Sequence, residues 1–317
     1  MMYLQFPKRV GLALIFALLS VSLAGCGEPD KMPTSKIDIF VLDLSGSNDK
    51  ASQLSRLNED FQQSLINDPL GVPKSGSKSI SGPATTLFTF IEGVAAKAPT
   101  FKIQDSKSTV DLWNSEFAKD KQRNTRSWEV TSSIYDNYLR TSLEMGPGFS
   151  ISECLNFVDS KLESLFNSES KRNLIVTPLC QKIEEIVNSY FKMVDYIQLT
   201  KAPASDVFGA LAQLDRLVNQ IHKDEPDAKI TVNIASDMQH QTGDNRDIPV
   251  RLKEANFEGA QVCEMAIMDR KQNGFSFDEI AVVKVNGIGN AKKISAQKGT
   301  ALIRYWECFF NTSAEIR

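Results

Sequence analysis

The sequence predicts an α/β protein with a doubly wound, mostly parallel sheet flanked by helices. Three observations carry that expectation. Apolar, β-branched runs of strand length recur along the chain. Between them lie stretches whose apolar residues fall three and four apart, the helical spacing. Clusters of Ser, Asn, Asp and Gly separate the two kinds of segment, as turns and caps require.

The first strand is 37–43 (IDIFVLD), apolar on both faces as a buried parallel strand must be. Residues 44–49 (LSGSND) supply helix-capping side chains, and Leu54, Leu57, Phe61 and Leu65 then mark a helix over 49–66. Pro, Gly and Ser crowd 67–84, a surface loop. A second strand is expected at 85–91 (TTLFTFI) and a short third at 100–103. The stretch 106–200 breaks the alternation. Segments 108–144, 150–168 and 180–197 are expected to be helical, with a strand at 173–177 (NLIVT), so the stretch reads as a helical elaboration of one domain. Alternation resumes with a helix over 207–222, opened by Ala204-Ser205-Asp206, and a strand at 229–235 (KITVNIA) that runs into Ser236-Asp237. A short helix at 248–256, strands at 261–268 (QVCEMAIM) and 279–285 (EIAVVKV), and a closing amphipathic helix over 295–311 complete the expectation.

Composition narrows the function. The chain has 317 residues, 42% of them hydrophobic, enough to bury a core of one large domain. A net charge of −3 gives no concentrated basic surface, so nucleic acid is not an expected partner. His222 and His240 are the two histidines, too few for a zinc site built on several imidazoles. His222 sits beside Lys223 at a helix C-terminus, where positive charge suits the dipole. His240 falls in the loop after Asp237 and is expected to be solvated there. No nucleophile elbow and no phosphate-binding loop occurs, and Gly287-Ile288-Gly289 is too short for a dinucleotide fingerprint.

The first 26 residues carry Lys8 and Arg9, then an apolar run from Val10 to Leu23, then Leu23-Ala24-Gly25-Cys26. The run is short for a span of about 20 residues and suits a signal peptide. Its end resembles the lipobox of bacterial lipoproteins. That resemblance implies cleavage after residue 25, acylation of Cys26 and anchoring of the exported domain by lipid. Residues 1–25 would be the signal peptide, 26–36 a polar tether and 37–317 the folded domain. The exported part would carry 34 basic against 39 acidic side chains, a balance of −5. Gly27, rather than Asp, would direct such a lipoprotein to the outer membrane of a Gram-negative envelope. That compartment permits disulfides. Cys154, Cys180, Cys263 and Cys308 allow three pairings, or free buried thiols, and spacing does not choose among them.

Open α/β sheets bind ligands at the carboxyl ends of their strands. Asp43 and Asp237 both lie at such ends, Ser45 and Ser47 follow the first at alternate positions, and Ser205 opens a helix. Two carboxylates and three hydroxyls are hard oxygen donors, suited to Mg²⁺, Mn²⁺ or Ca²⁺. The run Asp43-Leu44-Ser45-Gly46-Ser47 resembles the DxSxS motif of von Willebrand factor A (vWA) domains, the metal-ion-dependent adhesion site. Ser205, ahead of Ala210-Leu211, resembles its second segment, and Ser236-Asp237 its third. Ser205 stands where Thr is commoner, and Met238 where Gly is frequent. The resemblance implies hydroxyl ligands at Ser45, Ser47 and Ser205, with Asp43 and Asp237 as charged, partly water-mediated members. It implies a binding module rather than an enzyme, with a protein partner donating an acidic residue to the cation. Two other functions compete with it: an assembly lipoprotein that interacts through 106–200 without metal, and an envelope hydrolase using metal-bound water.

Overall fold

A computed structural model describes residues 35–45, 84–93, 97–105, 141–143, 150–162, 169–243, 246–288, 294–310 and 314–316. The chain divides into Met1–Pro33 and Thr34–Arg317, and the described residues belong to the second unit. The expected signal peptide, Cys26, the helix over 49–66, the loop over 67–84 save its last residue, most of the helical segment 108–144 and Ser47 lie outside the described residues.

Six strands form one sheet: β1 (Lys36–Asp43), β2 (Ala84–Ile91), β3 (Phe101–Asp105), β4 (Lys229–Ala235), β5 (Val282–Asn286) and β6 (Ala314–Ile316). Their order is β3-β2-β1-β4-β5-β6. All neighbours run parallel except β2 and β3, which are antiparallel. This is the doubly wound α/β sheet, mostly parallel, that the sequence predicts. Its order reverses between β1 and β4, so the crevice at their carboxyl ends is the natural ligand position.

Alternation along the strands divides the interior into two cores. Ile37, Ile39 and Val41 of β1, Leu87 and Ile91 of β2, and Ile230, Val232 and Ile234 of β4 share one cluster. They meet α3 (Val207–Asp224), α4 (Ile248–Glu254), α5 (Gly259–Asn273), the single turn α6 (Phe277–Ile280) and α7 (Ala296–Phe310). Phe40 and Leu42 of β1, with Phe88 and Phe90 of β2, share the other. That cluster is covered by α1 (Ile151–Leu162) and α2 (Glu169–Leu199), the latter burying Ile183, Ile186, Val187, Tyr190, Met193 and Ile197 at helical spacing. Every residue of β1 after Lys36 is buried, as a central strand between two helical layers must be. Among the described residues no helix is long and apolar enough to cross a membrane.

Two expected strands are helices. Residues 261–268 lie inside α5, where Val262, Ala266 and Asp269 face inward while Ile267 and Met268 are exposed. A short apolar run does not reveal its period by itself. The decisive local cue was the stop signal: Arg270 and Lys271 in the last turn, then Gly274 in the left-handed conformation at φ 67°. Residues 173–177 lie inside α2, which continues through Pro178. Their β-branched content is a weak propensity that the longer helix overrides. The strand expected at 279–285 starts only at Val282, because α6 occupies the residues before it. The strand β6 and the antiparallel sense of β3 were not foreseen.

Cys154 pairs with Cys180 and Cys263 with Cys308, joining α1 to α2 and α5 to α7, with Cα separations of 5.7 and 5.2 Å. Both separations fall in the usual disulfide range. Non-reducing peptide mapping should recover these two links and neither alternative pairing. Removing the Cys154–Cys180 bridge by alanine substitution should cost about 3–4 kcal/mol from loop-closure entropy, read as a lower denaturation midpoint.

Candidate functional site

Parity along the strands places the site residues. Asp43 ends β1 on the face of Ile37, Ile39 and Val41, which is the face that α3 covers. Ser236 follows β4 on the face of Ile230, Val232 and Ile234, the same face. Leu42 pairs with Ala235, so Asp43 and Ser236 come next on adjacent parallel strands. The Ser236 hydroxyl donates to Asp43 Oδ2 at 2.6 Å. The Ser205 hydroxyl donates to the same oxygen at 3.3 Å, across 162 residues of sequence. Asp43 Oδ1 accepts the backbone N–H of Ser45 at 2.9 Å, and the Ser45 side chain bonds to the carboxylate as well. One carboxylate thus gathers three hydroxyl residues from three separate segments.

The backbone holds these segments together. Ser45 forms a parallel bridge with Ala202, and Ser205 an antiparallel bridge with Gln241. The second bridge has both hydrogen bonds, Ser205 N–H to Gln241 O at 3.1 Å and Gln241 N–H to Ser205 O at 2.9 Å. Asp206, not Ser205, caps α3 by accepting the Gly209 N–H at 2.9 Å. The Ser205 hydroxyl is therefore directed to Asp43 rather than spent on the helix. The Asp206 N–H is itself held by the Glu92 carbonyl at 3.0 Å, just beyond β2. Beyond β4, Met238 takes φ 56°, its N–H donating to Ser236 Oγ at 2.8 Å and its carbonyl accepting the Trp306 indole N–H at 3.0 Å. Gly287 packs against the same turn at φ 100°. A Cβ there would sit 3.2 Å from the Ser236 carbonyl oxygen, so glycine is needed for both reasons.

Asp237 is buried next to this cup. Its Oδ1 accepts the Gln239 N–H at 3.0 Å and its Oδ2 the Gln239 side-chain amide at 3.1 Å. Asp237 also acts electrostatically on Asp43, raising its pKa. Ser236 is the site residue that sequence reasoning left out of the donor set. The alternation Ile230, Val232, Ile234, Ser236 would have identified it, since it puts Ser236 rather than Asp237 on the face of Asp43. His240 differs from expectation. It is fully buried, not solvated, and lies against the Phe208 ring at 4.7 Å. Its Nε2 is 3.2 Å from Thr242 Oγ1 and its Nδ1 3.8 Å from Asp206 Oδ1. The apolar face of α3 draws the loop inward. His222 lies exposed in the last turn of α3, as expected.

Burial pushes the Asp43 carboxyl above the ordinary carboxylate range. Hydrogen bonds from Ser236 and Ser45 oppose that rise, and the charge of Asp237 adds to it. Among the described residues no Lys or Arg acts on Asp43 to offset the burial. A buried carboxylate without a cationic partner is costly to ionise. The donors around it are hard oxygens, mostly hydroxyls; among the described residues no group of three or more His, Cys, Asp or Glu gathers, here or elsewhere. Asp43, Ser45, Ser205, Ser236 and Asp237 therefore fit a hard divalent cation by donor chemistry and by charge.

No family model matches the chain. No curated protein matches it. Among solved structures, the human COPII-coat protein Sec24c is similar over 92% of this chain at 10% identity and a TM-score of 0.30. This chain spans about 30% of that one. A likeness of that degree says nothing of activity or partners here.

The raised carboxyl has a consequence for stability. Because the fold favours the protonated form, the contribution of Asp43 is full below the unfolded-state value of about 4 and is lost as pH rises through the higher folded-state value. Asp43→Asn keeps the shape and removes the charge. In chelator at pH 8 it should melt a few degrees above the wild type, and the gap should close toward acidic pH. Thermal melts across that pH range measure it, and a less stable variant at pH 8 would contradict the assignment.

Proposed function

We propose that the chain is a lipid-anchored, exported binding module of the von Willebrand A type. It would hold a divalent cation in the cup of Asp43, Ser45, Ser205 and Asp237 and engage an acidic side chain of a protein partner. One observation carries this: the Ser205 and Ser236 hydroxyls converge on the single buried carboxylate of Asp43, at the crevice where β1 and β4 end. Three helix caps placed independently would have no reason to meet there.

Bound in the cup, a divalent cation would supply an open coordination position for an incoming carboxylate. The residues of the chain do the rest. Asp43 and Asp237 supply negative charge, and the hydroxyls of Ser45 and Ser205 supply neutral oxygens that turn without moving backbone. Ser236 orients Asp43 from the adjacent strand. Ser47 completes the set by motif. The Met238 conformation, φ 56°, is one that glycine adopts at least cost, which is consistent with the vWA resemblance at that position. Cys26, as the acylated residue, would hold the domain at a bacterial envelope membrane, the outer one in a Gram-negative cell. Among the described residues the cup offers no general base distinct from the carboxylates of Asp43 and Asp237, and the reading is therefore of binding rather than catalysis.

Titration of the full chain with Mg²⁺ or Mn²⁺ should release or absorb heat and raise the melting temperature. Asp43→Ala should abolish both effects. Capture of partners from membranes should depend on the cation and fail in chelator. A chain that shows no heat and no thermal shift with either ion, or an Asp43→Ala chain that still captures its partner in chelator, would end this reading and favour the assembly lipoprotein.

A further inference from the structure

The outward side of α5 takes no part in the cup, and it is not built like an ordinary solvated helix face. Its inward side carries Val262, Ala266 and Asp269. Across the helix, Ile267 and Met268 stand 56% and 58% exposed. Five large apolar side chains are more than half exposed among the described residues, and three of them, this pair and Val250, fall on α4 and α5. The Arg251 guanidinium, bonded to Asp269 at 2.7 Å, ties those two helices together. Single exposed apolar residues are ordinary, but a cluster marks a contact surface. Charges bracket the pair in a definite order. Glu264 lies three residues before Ile267 and Lys271 three residues after Met268, and both are exposed. At 3.6 residues per turn the four side chains fall within about 100° of the helix circumference, a single stripe. Glu264 and Lys271 are about 10 Å apart along the axis, too far to pair with each other. No charged residue stands three or four positions from either, where a helix would supply a partner.

We propose that this stripe is a self-association surface, and that its occupant is the same stripe on a second copy of the chain. Two identical patches meet about a two-fold axis, so each residue must find its complement within its own patch. An axis passing between Ile267 and Met268, perpendicular to α5, sets the two helices antiparallel. Ile267 of each copy then faces Met268 of the other, and Glu264 of each copy faces Lys271 of the other. The result is an apolar centre with opposite charges at both ends. A parallel pairing would instead set Glu264 against Glu264 and Lys271 against Lys271, with repulsion at each end. A bilayer would gain nothing from the order of the two charges, and an anionic one would repel Glu264. The helix has 15 residues, so its face is about 22 Å long. That places the contact at the small end of specific interfaces and makes the dimer reversible, with dissociation in the micromolar range. The inference stands independently of the cation cup.

Sedimentation velocity of the full chain in density-matched detergent, with micelles in excess and chelator present, tests this. The wild type should pass from monomer to dimer as its concentration rises through the micromolar range. Ile267→Glu, at an exposed position on a helix that tolerates Glu, should raise the dissociation constant by about tenfold or more. Glu264→Lys and Lys271→Glu should each weaken the dimer, because each sets like charges together at both ends. The double variant Glu264→Lys with Lys271→Glu restores opposite charges and should recover most of the wild-type association. Added salt should weaken the wild type and strengthen either single charge variant. Melting curves show whether each variant is folded. A wild type that stays monomeric throughout the range overturns the inference and leaves the face to another partner. So does a dimer that folded Ile267→Glu leaves unchanged. A double charge variant that is folded but no better than its single parents overturns the antiparallel pairing.

Discussion

The Asp43 carboxylate is buried at the end of the central strand, ringed by hydroxyls and with no described basic side chain beside it. Removing a charge from water is expensive, and neutral hydrogen bonds recover only part of that cost. A fold that stabilised only itself would do better with an apolar residue or a salt bridge there. On the reading proposed above, the site accepts positive charge from outside. Its position follows from topology, since β1 and β4 flank the point where the strand order reverses.

The scaffold around that carboxylate is rigid for identifiable reasons. Each site segment is pinned by backbone bonds to another: 45 to 202, 205 to 241, 206 to 92, and 236 to the end of β5. Side chains supply the next layer. Trp306 on α7 holds the Met238 carbonyl, and its ring packs among Phe208, Phe309 and Phe310. Farther out, Asp269 accepts both Arg251 and the Tyr305 hydroxyl, tying α4, α5 and α7 into one block. The Cys263–Cys308 bridge joins two members of that block.

Much of this was legible in the sequence, and the exceptions have physical causes. The strands β1 and β4 were clear because buried parallel strands are continuously apolar and end in turn residues. The approach of Ser205 to Asp43 followed from the doubly wound fold once those strands were placed. The strand at 261–268 was misread because α5 is apolar on more than one side, with Ile267 and Met268 exposed, which blurs the helical period. The strand at 173–177 was misread because β-branched residues are weak evidence within a 31-residue helix. Ser236 was overlooked because the neighbouring Asp237 carries the charge, although strand parity favours the serine. The burial of His240 was not legible, since it depends on Phe208 arriving from a helix that is distant in the chain.

The most direct measurement is anomalous diffraction from crystals of the full chain grown with Mn²⁺. The account predicts one ordered peak within coordination distance of the Asp43 carboxylate and the Ser45 and Ser205 hydroxyls, with Asp237 meeting it through one oxygen or a water. A well-ordered cup with no peak at saturating Mn²⁺, or a peak bound only elsewhere, would contradict it.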